Sequence, residues 1–119
     1  NEMKKMNKIY FWDTGVRNAL INNFEYKSTR GDWGELWENF IIAERCKVNE
    51  YTRWAANYHY WRLTTGTEID LVEVKGDTLT GIEIKANDKL PSVAPSWTKA
   101  YPHAGYQVVN ADNWHTFIL

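Results

Sequence analysis

The side chains best suited to chemistry are two acids and a lysine near the middle of the chain. They are Asp70, Glu83 and Lys85. They lie on two short stretches, residues 68–74 and 79–85, that alternate apolar and polar positions and are rich in β-branched side chains. This pattern predicts two strands. The Gly76-Asp77 pair between them favours a two-residue hairpin turn.

The turn determines which residues face each other. A turn at residues 76 and 77 places Asp70 directly opposite Glu83. The same register places Glu68 opposite Lys85, and all four side chains then project from one face of the hairpin. The other face is predicted to carry four apolar side chains: Ile69, Leu71, Ile82 and Ile84.

Two opposed carboxylates are unfavourable for folding alone. Opposed residues of an antiparallel pair hold their Cβ atoms about 5 Å apart, and like charges repel there. A divalent cation removes this repulsion, because two acidic oxygens can share Mg²⁺ at about 2.1 Å per bond. The cation also keeps both groups ionised at neutral pH. Asp70 and Glu83 are therefore predicted to be metal ligands.

A plainer interpretation is a solvated strand face. In that case Glu68 pairs with Lys85, and Asp70 is hydrated by water. The rest of the face argues for a site, since three apolar side chains continue it toward the turn: Val72, Val74 and Leu79. A face that is apolar near the turn and charged at the other end indicates a mostly covered sheet with a polar cluster at the end away from the turn.

A third acid lies on a predicted helix. Asp32, with Glu35 three residues later, forms a capping-box pattern that predicts a helix from about Trp33 to Lys47. Apolar residues cover nearly all of its circumference, which indicates burial between layers. They are Trp33, Leu36, Trp37, Phe40 and Ala43 on the main side, with Ile41 and Ile42 opposite.

Glu38 is flanked by the second of these apolar sides. A carboxylate in such a setting is rarely found unless it is paired or bound to a metal. Glu38 is therefore a candidate for a further acidic ligand, and its alternative is a salt bridge to Arg45 or Arg62.

The remaining segments indicate an α/β domain with a central mixed β-sheet flanked by helices. Strands are predicted at Lys8–Asp13, 53–63, Tyr106–Asn110 and Thr116–Leu119, short helices at Val16–Ile21 and 97–103, and a loop at 87–96. The seven tryptophans and seven tyrosines are expected to serve mainly in packing.

Composition limits the class of protein. A chain of 119 residues forms one domain with a single core. A net charge of −1 disfavours a purely electrostatic nucleic-acid binder. The single cysteine, Cys46, suits a reducing cytoplasm, and no apolar run approaches the roughly 20 residues that cross a membrane. Because the chain starts at Asn1, we expect residues 1–119 to be a fragment of a longer protein.

The order of these residues resembles the PD-(D/E)xK nuclease superfamily. Its pattern is an acid on a helix, an acid within a strand, and Glu-x-Lys on the next strand, as at Glu38, Asp70 and Glu83-Ile84-Lys85. More narrowly, the chain resembles the uncharacterised domain that follows an AAA-type ATPase module in many bacterial and archaeal proteins. Five segments carry this resemblance: residues 8–15, 34–39, 60–62, 66–70 and 83–85.

The resemblance implies a restriction-endonuclease-like αβββαβ core with a Mg²⁺ or Mn²⁺ site. Asp70 and Glu83 would be metal ligands, and Glu38 would be a further ligand, direct or through water. Lys85 would hold the attacking hydroxide or balance charge at the scissile phosphate.

The resemblance further implies a nuclease acting on DNA phosphodiesters, fused to an ATPase module in the same full-length protein. Two alternatives remain. The domain is a non-catalytic docking or oligomerisation module, which the aromatic content and near-zero net charge favour, or its acids belong to a charge-paired core without a function of their own.

Overall fold

The computed structural model of the chain describes residues 3–5 and 33–118. The strand predicted at Lys8–Asp13, the helix predicted at Val16–Ile21 and the N-cap Asp32 lie outside the described residues. The described elements, in chain order, are β1 (Met3–Lys5), α1 (Trp33–Thr52), β2 (Asn57–Arg62), β3 (Glu68–Lys75), β4 (Thr78–Ile84), α2 (Pro95–Ala100), β5 (Gly105–Val109) and α3 (Trp114–Ile118).

The strands form one mixed sheet in the order β1-β2-β3-β4-β5. Neighbours from β1 to β4 are antiparallel, whereas β5 lies parallel to β4. Parallel neighbours require a crossover, which the segment containing α2 provides. The predicted α/β class, a central mixed sheet with flanking helices, is confirmed.

Helices α1 and α3 pack on one face of the sheet. The predicted burial of α1 is confirmed, since Phe40, Ile41 and Ile42 are each at most 1% exposed. They join a core that also contains Trp37, Leu71, Ile82, Ile84, Val109, Trp114, Phe117 and Ile118. This packing places the Glu38 turn of α1 over the sheet.

Helix α2 covers the opposite face through Trp97. A Cβ atom added at Gly81 would lie 2.9 Å from the Trp97 ring, so only glycine leaves room for the indole. The Trp97 ring meets the Trp61 ring edge-on at 5.3 Å between centroids. As predicted, the apolar positions Val72, Val74 and Leu79 lie together in this second cluster.

Helix α1 ends five residues beyond the predicted Lys47. Its terminus is a Schellman motif, in which the Arg53 N–H bonds Glu50 O and the Trp54 N–H bonds Asn49 O at 3.1 Å. Arg53 takes the left-handed conformation of this motif, with φ of 55°. Glycine usually occupies that position, so the sequence carries no clear signal of the true end.

The predicted hairpin register is confirmed from Lys75 to Leu71, whereas the predicted pairs Asp70–Glu83 and Glu68–Lys85 lie beyond the end of the observed ladder. Lys75 pairs with Thr78 next to the turn, and Leu71 pairs with Ile82 farther along. Gly76 has φ of 59°, the positive value that a type II′ turn requires at its first central position. The turn residues therefore set the pairing of β3 with β4.

The predicted face of Ile69 is wrong. His59 pairs with Val72 and Trp61 pairs with Ile69, so β3 accommodates one more residue than β2 between these pairs. Such a β-bulge breaks the simple alternation of side chains. Ile69 consequently packs with Trp61 and Val72 and not with Leu71.

The predicted strand at Thr116–Leu119 is also wrong, because Trp114–Ile118 forms helix α3. The Asn110 side-chain oxygen accepts the N–H groups of Asp112 and Asn113, which turns the chain directly after β5. Residues 114, 117 and 118 are then buried at helical spacing. The N-terminal strand β1, which pairs with β2, was not predicted.

Candidate functional site

Asp70 and Glu83 meet at the ends of β3 and β4, away from the hairpin turn. The Glu83 carboxyl is hydrogen-bonded to the carboxylate of Asp70. Asp70 Oδ2 also accepts the backbone N–H of Ile84 at 2.9 Å. The two acids are therefore in direct contact, one step beyond the last pair of the ladder, Leu71 with Ile82.

Their environment favours protonation of one acid. Burial and then the negative charge of Asp70 raise the pKa of Glu83 to about 8. Burial likewise raises the pKa of Asp70, against the opposing effects of the Ile84 N–H, the Glu83 hydrogen bond and the Lys85 charge. Two carboxyl groups in contact ionise together only when a cation neutralises them. Burial and mutual repulsion therefore favour the retention of a proton by the pair when no metal is bound.

Lys85 contributes positive charge to both acids. Its ammonium lowers the pKa of Asp70 and of Glu83. Its backbone N–H donates to Val109 O at 2.8 Å, which fixes the chain just beyond the end of β4. The side chain is half-buried, so part of it is accessible to a ligand.

Glu38 lies within electrostatic range of the pair. Its negative charge is among the causes that raise the pKa of Glu83, and its side chain is half-buried on α1. Both arginines that the sequence offered as partners are engaged by other acids. Arg45 binds Glu73 at 2.9 Å, and Arg62 binds Glu68 at 2.8 Å.

The Arg62–Glu68 pair also bears on the solvated-face interpretation. That interpretation pairs Glu68 with Lys85, whereas Glu68 Oε2 bonds Arg62 across the β2–β3 ladder. Asp70 is bonded to Glu83 and to the Ile84 N–H. The charges at this end of the hairpin are therefore arranged differently from a simple solvated face.

The donor set suits a metal bound by two carboxylates. Within residues 3–5 and 33–118, no group of three or more His, Cys, Asp or Glu side chains is arranged to hold a metal ion. Mg²⁺ commonly uses one or two carboxylates and completes its shell with waters and substrate phosphate. Asp70 and Glu83 fit that pattern, and Glu38 fits a ligand acting through water.

Tyr106 is a neighbour of this site that was not predicted from the sequence. Tyr106 pairs with Gly81, and Val108 pairs with Glu83. Because Gly81 and Glu83 are two residues apart on β4, Tyr106 lies on the same face of the sheet as Glu83, diagonally across from it on β5. Burial, followed by the charges of Glu83 and Asp70, raises the pKa of Tyr106 to about 12. Because the parallel β4–β5 register depends on a crossover, no local pattern predicts this proximity.

A second polar cluster lies on the α1 face of the sheet. Arg45 binds Glu73 through two hydrogen bonds of 2.9 and 3.1 Å, and its Nη1 donates to Phe117 O at 2.6 Å. The Tyr58 hydroxyl donates to Glu73 at 2.9 Å. These bonds join α1, β2, β3 and α3. The cluster therefore holds the helix that carries Glu38 against the sheet.

Comparison with known proteins assigns the chain to a family whose function is undefined. Among the described helices, none has the length and apolar content required to cross a membrane. Neither the curated proteins nor the solved structures give a match. A family model matches residues 33–116, which include every candidate site residue. The chain belongs to the family described as a domain of unknown function (DUF4143).

Proposed function

We propose that this domain is a metal-dependent nuclease-like domain acting on DNA phosphodiesters. The observation that carries the proposal is the contact between Asp70 and Glu83, two half-buried acids beside Lys85 whose pKa values are raised by burial. A folded protein gains little from opposing two carboxyl groups in this way, whereas a divalent cation can be held by such a pair.

Each candidate residue would have a different role in phosphodiester hydrolysis. A bound Mg²⁺ or Mn²⁺ would supply an activated water and charge stabilisation at the phosphate. Asp70 and Glu83 would hold this ion, and Glu38 would orient a water from the α1 side. Lys85 would place its ammonium beside a phosphate oxygen, where negative charge develops in the transition state.

We further propose that the full-length protein carries an AAA-type ATPase module and acts in the cytoplasm. The sequence resemblance supports the first point. The single half-buried cysteine, Cys46, is compatible with a reducing compartment. An attached ATPase would couple ATP hydrolysis to the presentation of DNA.

Cleavage assays with matched variants test the proposal. The chain is incubated with linear duplex, single-stranded and branched DNA in Mg²⁺ or Mn²⁺. We expect cleavage by the wild type and a loss of about a hundredfold or more in Asp70→Asn and Lys85→Met, because each removes charge stabilisation of the transition state. Glu68→Gln is the control, since Glu68 is a nearby acid in an exposed ion pair. Cleavage that persists in Asp70→Asn would refute the assignment.

The alternative function is a non-catalytic docking or oligomerisation module. The observation in its favour is the exposure of aromatic side chains at the end of α1, where Tyr51 is 92% and Trp54 is 37% exposed. This alternative predicts no binding of Mg²⁺ or Mn²⁺ at millimolar concentration. It also predicts a stable oligomer, or a stable complex with the ATPase module, that Tyr51→Ala weakens.

A further inference from the structure

The segment Asn87–Pro91, here called the 87–91 segment, directly follows Lys85 and is tied to the end of β5. The backbone N–H of Ala111 donates to Asn87 O at 2.9 Å. The Asn87 side-chain oxygen accepts the Lys89 N–H at 3.0 Å, which closes a local turn. The segment is therefore held in place although it has no regular secondary structure.

Two side chains, Tyr106 near the start of β5 and Asn110 directly after its end, bind the carbonyl groups on either side of Leu90. Asn110 Nδ2 donates to Lys89 O at 3.1 Å, and the Tyr106 hydroxyl donates to Pro91 O at 3.5 Å. Asn110 is only 2% exposed. Asn110 Oδ1 accepts the backbone N–H groups of residues 112 and 113, so the orientation of the Asn110 side chain is fixed.

This anchoring leaves Leu90 in solvent. Its side chain is 70% exposed, and the neighbouring Lys89 is also exposed. A single exposed leucine is ordinary on a protein surface. Here, however, Asn110 and Tyr106 fix the backbone on the two sides of Leu90, and a lysine precedes Leu90. The segment therefore exposes an apolar side chain, Leu90, and a cationic side chain, Lys89, on a backbone whose position is fixed.

The same segment borders the acidic site. Tyr106, which contacts Pro91, lies on the sheet face of Glu83. The charges of Glu83 and Asp70 raise its pKa, after the larger effect of burial. Chain connectivity gives a second link, since Asn87 is two residues from Lys85.

We propose that the 87–91 segment is a second contact for the DNA strand whose phosphodiester binds at Asp70 and Glu83. Lys89 would bind a backbone phosphate, and Leu90 would pack against a base or sugar of the same strand. Apolar side chains and lysines are both used in this way by DNA-binding proteins. This inference rests on the proposed function and adds the part of the substrate adjoining the scissile bond.

Salt-dependent binding separates the two contacts. A fluorescent single-stranded oligonucleotide is titrated with the full chain in Ca²⁺, and anisotropy is followed over a range of salt concentrations. Lys89→Ala should reduce the slope of log affinity against log salt by about one, as expected for the loss of one phosphate contact. Leu90→Ala should weaken binding about fivefold or more without changing the slope, because stacking and apolar contacts release no counterions.

Two exposed residues of α1 provide matched controls. Tyr51→Ala removes an apolar surface side chain, and Lys47→Ala removes an exposed lysine more than two helical turns from Glu38. Both should bind DNA as the wild type does. Circular dichroism on all four variants confirms that each is folded, as expected for surface truncations of this kind.

The outcomes distinguish this inference from the proposed function. If the wild type binds and cleaves DNA while Lys89→Ala and Leu90→Ala bind equally well, the second contact is wrong and the acidic site stands. An equal loss of DNA affinity in the two α1 controls would likewise overturn the proposed second contact. If the wild type binds neither metal nor DNA, both ideas fail. Loss of an ATPase-module complex in Leu90→Ala would then assign the segment to a protein partner.

Discussion

The carboxyl group of Glu83 is hydrogen-bonded to that of Asp70 across the ends of β3 and β4. Burial makes this contact stable only when one of the two acids is protonated or when a cation is shared between them. The pair thus has two compatible states, one with a proton and one with a metal. This relationship leads to predictions on pH, metal and stability.

The stability of the metal-free domain should fall as the pH rises. Glu83 has a folded-state pKa of about 8, above its usual value, so the folded state binds a proton more tightly than the unfolded chain does. Its contribution is complete below the unfolded pKa of about 4.3 and is lost as the pH rises through about 8. Thermal unfolding in EDTA between about pH 5 and pH 9 measures this trend.

Replacing the acid should remove that dependence. Glu83→Gln keeps a donor for Asp70 at every pH, so its melting temperature should be flatter across this range than that of the wild type. Glu68→Gln, at an exposed ion pair, should retain the wild-type slope. A wild-type melting temperature that rises steadily from pH 5 to pH 9 in EDTA would contradict the protonated pair.

The Arg45–Glu73 bond should contribute far more to stability than the Arg62–Glu68 bond. Side-chain exposure is 18% and 7% in the first pair, against 65% and 47% in the second. Arg45→Ala leaves a buried carboxylate without its cation, which costs about 3–5 kcal/mol in comparable pairs. Arg62→Ala should cost less than about 1 kcal/mol. Urea unfolding measures both, and equal costs would contradict the assigned burial.

Gly81 should be required for the docking of α2 on the sheet. A Cβ atom there would lie 2.9 Å from the Trp97 ring, so Gly81→Ala must displace a buried indole. We expect a loss of about 1–3 kcal/mol in the free energy of unfolding. Gly105→Ala is the matched control, because its Cβ would meet Thr80 at 3.6 Å, an ordinary contact. An unchanged free energy of unfolding in Gly81→Ala would contradict this prediction, because it would mean that Trp97 and α2 can move at little cost.

The hairpin was predictable because its signals are local. A glycine at the first turn position and alternating apolar residues on both sides determine the register as far as Leu71 and Ile82, and Asp70 and Glu83 are the next residues of the two strands. The all-round apolar pattern of α1 similarly predicted its burial. The acidic pair could thus be located without knowledge of the rest of the fold.

Features that depend on distant contacts were not predictable. The extra residue of β3 opposite β2 moves Ile69 to the other face, and no local pattern indicates it. Helix α3 forms because Asn110 turns the chain and Phe117 is buried against α1, although the apolar C-terminal residues also suit a strand. The position of Tyr106 near Glu83 follows from the parallel β4–β5 pairing.

Metal binding by the acidic pair can be measured by titration calorimetry with Mn²⁺ at about pH 7, repeated in buffers of different ionisation enthalpy. We expect the wild type to bind the ion at Asp70 and Glu83 and to release close to one proton on binding, because the metal replaces a proton held by the pair. Asp70→Asn should abolish binding, and Glu68→Gln should preserve it. Absence of binding at millimolar Mn²⁺, or unchanged binding in Asp70→Asn, would show that Asp70 and Glu83 do not form a metal site.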